Sequence, residues 1–223
     1  MPAYASHVQR MTTGSATERR AGLDDMMSLL DDLSEEQLLE VVREPGLLAA
    51  LNAFLSGDSS LVALKVLYAL MGKDSDPGSP TLKLCNVAIF DSPCFLSIKG
   101  IAASGSTLEL KHTAWTAIKA VARMEEGRSR EFFYSAGMVA LLRAGIESVA
   151  SVIAKNASAT IQNLSWDVST ASAIFNSLCF PALKDIAETG NTPEIKQNAW
   201  EVIKGVSGMG EGRSRKSGWL RRS

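Results

Sequence analysis

With 223 residues, 46% of them hydrophobic and 21% charged, the chain has enough apolar side chains for a continuous core and lacks the composition of a disordered segment. A net charge of -1 and a pI near 6.2 disfavour nucleic acid as a partner, and no apolar run approaches the ~20 residues that span a bilayer, so no membrane is expected. Three scattered cysteines, Cys85, Cys94 and Cys179, fit a reducing compartment and a cytoplasmic or nuclear location.

The first 23 residues carry Arg10, Arg19 and Arg20 against one acid and show no long apolar stripe. They read as a disordered tail, with a weak organelle-targeting sequence as the alternative. Pro2 in place of Gly excludes myristoylation. From Asp24 onward the signals are helical. Ser34 and Gln37 form a capping box ahead of Leu38, Leu39, Val41 and Val42, and Pro45-Gly46 closes that helix. The stretch from Lys73 to Pro80 reads as a loop. Ser92-Pro93 and Thr192-Pro193 each set a cap donor before a proline suited to the first helical turn. Gly137 and Gly145 divide residues 128–166 into a short, a medium and a long helix. No segment alternates long enough to predict a sheet.

Those helices repeat. Residues 111–130 and 196–215, 85 positions apart, share twelve identities in twenty. The same core spacing, Ala and then an apolar residue four and seven places on, occurs four times: Ala63, Leu67, Leu70; Ala114, Ile118, Val121; Ala157, Ile161, Leu164; Ala199, Ile203, Val206. Successive alanines are 51, 43 and 42 residues apart, and the 73–80 loop accounts for the longer first gap. Spacings of four and seven put three side chains on one helical stripe, and a small Ala lets a neighbouring helix approach. One such unit buries too little to offset the entropy of ordering it, so neighbours must stack.

A period near 42, the glycine before Met138, Val139, Leu141 and Leu142, and the ending ATIQNLS at 159–165 resemble the armadillo repeat family over about residues 24–216. The resemblance implies an all-α, right-handed superhelix of about four three-helix repeats, with residues 217–223 as a basic tail or a truncated further repeat. It also implies a non-catalytic interaction scaffold whose third helices line a concave groove. The alternatives are a nuclear-transport or chaperone adaptor of the same fold, and a helical-repeat nucleic-acid-binding protein.

The family's import adaptors hold extended peptides with a Trp two residues, and an Asn six residues, after the core Ala. Here those positions hold Lys65, Thr116, Ala159 and Glu201, then Ala69, Ala120, Asn163 and Gly205. Only Asn163 matches, which tells against import-signal binding. Trp115 and Trp200 stand one residue after their alanines and read as packing between repeats. The groove candidates are therefore Asn163, Trp166 and Arg123, with Lys119 and Lys204 at its edge, and they suit an extended acidic peptide.

Charge supports that choice: residues 24–91 hold twelve acids and four bases, whereas residues 92–223 hold eleven acids and sixteen bases. Ordinary solvated helix faces would give the same pattern. Arg128, Arg130, Arg213 and Arg215, in two GRSR loops, read as anion-binding loops or as plain connectors. An uncapped last repeat predicts self-association. No catalytic, cofactor or metal residue is assigned. Cys179 with His112 is a formal nucleophile pair against the commoner inert buried thiol.

Overall fold

The computed structural model describes residues 3–72, 79–123, 136–164, 176, 179–190, 192, 193, 195–197, 199–205 and 207. Every regular element among them is a helix, and the chain divides into two compact units, 1–124 and 125–223, where the sequence reading expects one domain. The four alanine-centred stripes are the core in both units. Each of their described members is buried, from fully enclosed Ala63, Leu67, Ala114, Ile118, Ala157, Ile161 and Ala199 to Ile203 at 7% exposure.

The first unit contains α1 (Ala3–Thr13), α2 (Ala16–Leu30), α3 (Glu35–Val42), α4 (Leu47–Leu55), α5 (Ser60–Leu70), α6 (Pro80–Phe90), α7 (Pro93–Ser104) and α8 (Leu108–Ala122). Their starts follow the local chemistry. Ser34 and Gln37 close a reciprocal capping box on α3, and Ser92 caps α7 with Pro93 in its first turn. Gly46 joins α3 to α4 at φ 87°, which a side chain would strain. Three kinds of helix recur in order. The third helices α2, α5 and α8 pack side by side, the second helices α1, α4 and α7 form another row, and the first helices α3 and α6 pair. Central α5 is enclosed by all three rows, so Ala63, Leu64, Val66, Leu67, Ala69 and Leu70 are all buried.

Residues 3–23 are not a tail. α1 and the first half of α2 form a fifth, incomplete repeat with Val8, Met11, Leu23 and Met26 buried. Gly22 stands 41 residues before Ala63 and does the same job, because a Cβ there would sit 3.0 Å from the His7 carbonyl oxygen of α1. The outer positions of this repeat, including Ser6, Gln9, Thr12 and Thr13, are polar and exposed, so it caps the stack at that end. A second capping box, Ser15 with Glu18, starts α2.

In the second unit, α9 (Ala136–Ile146) packs on both α10 (Ser151–Leu164) and α11 (Cys179–Thr189), and helical residues 195–197 and 199–205 form the last third helix. α9 runs one residue past Gly145, within the usual fraying of helix ends. Thr192 Oγ1 accepts from Ile195 N at 3.2 Å, the expected cap. α10 buries small polar groups, Asn156, Ser158 and Thr160, and the Thr160 hydroxyl donates to the Asn156 carbonyl at 2.8 Å. Trp166, the two GRSR loops, the 73–78 part of the first loop and residues 217–223 lie outside the described residues.

Candidate functional site

Positions two before, two after and five after the core Ala lie about 140° to 200° round the helix from the buried stripe. In all five third helices these positions are exposed or half-buried: Arg20, Asp24, Met27 on α2; Leu61, Lys65, Tyr68 on α5; His112, Thr116, Lys119 on α8; Lys155, Ala159, Gln162 on α10; Gln197, Glu201, Lys204 on the last helix. In each unit these positions make up the accessible third-helix face. The sequence candidates Lys119 and Lys204 belong to it. Arg123 follows on the same side of α8 as its exposed C-terminal cap, and Asn163 flanks the row half-buried on α10.

Within the first unit the seams between third helices are bridged. The Arg20 guanidinium donates to Ser59 Oγ at 2.6 Å, just before α5, and lies 3.1 Å from the Asp24 carboxylate. Lys65 Nζ on α5 meets Glu109 Oε1 on α8 at 2.9 Å. The hydroxyls of Thr113 and Thr116 donate to carbonyls of their own helix. Both ion pairs are exposed and contribute at most about 1 kcal/mol each. The Lys65–Glu109 pair spans the α5–α8 seam, whereas Arg20 and Ser59 line a cavity of about 280 Å³ together with Met11, Phe54 and Asp58.

Within the second unit the corresponding seam holds a notch. Lys155, Ser158, Ala159 and Gln162 of α10 face Glu201 and Val202 across a notch of about 150 Å³. Ala159 is the cause, since its methyl group stands where Lys65 reaches across in the first unit. Glu201 Oε1 accepts from Gln197 Nε2 at 3.2 Å, so it is held along its own helix. Lys155 and Gln162 escaped the sequence reading, which tested only the places where the resemblance puts Trp and Asn. The three-place phase of the exposed row was computable from the alanines alone.

The two tryptophans part company. Trp115 is 1% exposed and serves as core, as expected, whereas Trp200 is 46% exposed. α8, which carries Trp115, packs on α5 and α7. Charge is also less segregated than the linear count suggests. α1 folds back so that Arg10 pairs with Asp25 of α2, Arg20 pairs with Asp24 within α2, and by unit the chain holds 14 acids and 11 bases in 1–124 and 10 acids and 12 bases in 125–223.

The thiols are structural. Cys94 Sγ donates to the Leu48 carbonyl at 3.1 Å and Cys179 Sγ to the Val139 carbonyl at 3.4 Å. Burial pushes the Cys85 thiol up to about 11 and raises that of Cys94. Among the described residues no group of three potential metal ligands occurs, and no single helix is long and apolar enough to cross a membrane.

No protein-family model matches the sequence, and no curated protein matches it. Solved structures do match. An engineered protein superimposes with a TM-score of 0.59 at 14% identity, covering 94% of this chain and 98% of its own. A designed armadillo repeat protein in complex with the peptide (KR)4 gives 0.54 at 14% identity, covering 92% and 100%. Computationally designed armadillo repeat proteins for modular peptide recognition give 0.52 at 16% identity, covering 91% and 99%. The recurring three-helix order, the buried alanine stripes and these likenesses together make this an all-α chain with an armadillo-like repeat fold.

Proposed function

We propose that this protein is a non-catalytic interaction scaffold that binds an extended segment of another protein along its third-helix face. The observation that carries the reading is the notch of about 150 Å³ in the third-helix face of the second unit, lined by Lys155, Ser158, Ala159, Gln162, Glu201 and Val202. Designed proteins of similar fold recognise peptides, which supports a peptide as the occupant class. The peptide in one of them is basic, but here Lys155 and Lys204 sit exposed on the face and the second unit has more bases than acids, so an acidic segment fits better. Asn163, flanking the row, suits pairing with a peptide backbone.

Isothermal titration of the full chain with an acidic peptide and with a basic peptide of equal length tests the reading. The acidic peptide binds and the basic one does not, and Lys204→Glu and Asn163→Ala each weaken binding. Equal binding of both peptides, or affinity untouched by Lys204→Glu and Asn163→Ala, defeats the acidic-segment reading.

Exposed Trp200 supports a second property, weak self-association through the last described repeat. Sedimentation velocity then shows a concentration-dependent dimer that Trp200→Ala abolishes, and a strict monomer at high concentration rejects it. The buried free thiols support the cytoplasm or nucleus as the setting.

A further inference from the structure

The cavity of about 280 Å³ in the first unit lies between the end of α1, the start of α2 and the turn from α4 to α5. Its base is apolar: Met11 and Ala50 are buried and Phe54 is half-buried. Its mouth is left open by Ala16, Ala53 and Gly57, all exposed and with little or no side chain. Arg20 and Ser59, joined by a 2.6 Å hydrogen bond, form one wall. The other two lining residues carry opposite charges. Arg19 and Asp58 are exposed, and among the described residues neither side chain has a hydrogen-bond or ion-pair partner, nor do they pair with each other. That combination restricts the occupant. An acidic side chain meets Arg19 and is opposed by Asp58, a basic one meets Asp58 and is opposed by Arg19, and a plain aliphatic one uses neither. A molecule with both charges close together and one apolar arm satisfies every part of the lining. A cavity of about 150 Å³ holds benzene, so by proportion one of about 280 Å³ holds a molecule the size of leucine or methionine and not one as large as tryptophan.

We propose that this cavity binds a free α-amino acid with a medium-sized apolar side chain, for which leucine is the probe. The side chain lies on Met11, Ala50 and Phe54, the carboxylate meets the Arg19 guanidinium, and the ammonium meets the Asp58 carboxylate. The site neither needs nor excludes a partner segment on the second unit.

The test follows the amide NMR shifts of the full chain during titration with L-leucine. Saturable shifts appear around Arg19, Gly57 and Asp58, with a dissociation constant on the order of 1 mM, as exposed ion pairs and one small apolar group would give. Glycine has both charges and no arm, and binds at least about tenfold more weakly. Leucinamide lacks the carboxylate and N-acetyl-leucine lacks the ammonium, so each binds about threefold more weakly than leucine. Arg19→Gln then weakens leucine and N-acetyl-leucine but not leucinamide, and Asp58→Asn weakens leucine and leucinamide but not N-acetyl-leucine. Ala53→Trp closes the mouth and removes leucine binding, with circular dichroism checking the fold. A titration with leucine that gives no saturable shift overturns the proposal. So does glycine or N-acetyl-leucine binding as tightly as leucine, the latter because it marks a site for a carboxylate alone, such as a peptide C-terminus. Leucine binding that survives Ala53→Trp, or that ignores both charge substitutions, puts the molecule elsewhere and overturns it as well.

Discussion

The two units use the same helical frame and differ at the seam between third helices. In the first, Arg20 and Lys65 reach across to Ser59 and Glu109, and the buried apolar side chains of α5 fill the space beneath. In the second, α10 buries Asn156, Ser158 and Thr160, and an alanine at the reaching position leaves a notch. The contrast teaches that a repeat's core stripe and its exposed row vary independently. One side secures stacking while the other is free to be closed by a charge pair or left open for a partner.

The core side of the comparison breaks most visibly. Leu67→Ala in the enclosed α5 costs about 2–5 kcal/mol by denaturant unfolding, and a loss under about 1 kcal/mol contradicts its central place. Gly22→Ala sets a Cβ 3.0 Å from the His7 carbonyl oxygen and costs about 1–3 kcal/mol, with faster proteolytic cleavage within residues 3–13. A disordered tail would register neither effect.

The buried thiol sharpens the picture by its pH dependence. Cys85 titrates at about 11 when folded against an ordinary 9.0, so above pH 9 the unfolded chain loses that proton first. Its contribution is intact below pH 9 and is lost as pH rises toward 11. The thermal midpoint of the wild-type chain should thus fall more steeply over that range than that of Cys85→Ala; parallel curves would refute it. The smallest effect belongs to the closed seam. A double-mutant cycle on Lys65 and Glu109 gives a coupling of about 0.2–1 kcal/mol that fades with salt. A coupling that persists in molar salt is not the exposed ion pair described here.

Much of this architecture was legible in residue spacing. Ala63, Ala114, Ala157 and Ala199 marked every buried stripe of the later repeats, and Ser34 with Gln37 and Ser92 with Pro93 marked helix starts. The first repeat went unseen because Gly22 and Met26 stand where Ala and then Leu or Ile stand elsewhere, and α1 presents only Ala5, Val8 and Met11 as its buried apolar face. Of the site candidates, Lys119 and Lys204 fell on the exposed row because their phase follows from the alanines. Lys155, Gln162 and Glu201 did not stand out, since nothing along the chain says that residues some forty positions apart face each other across a gap.

Sequence by itself determined the helices, their period and the face each one buries, because a small residue followed by apolar ones at four and seven places leaves a helix only one side to hide. Tertiary structure decided which seams close and which stay open, that the N-terminal arginines neutralise the acids of α2, and that Trp115 is enclosed while Trp200 is bare. Those outcomes depend on the distance between side chains of different helices, a quantity that local spacing does not encode.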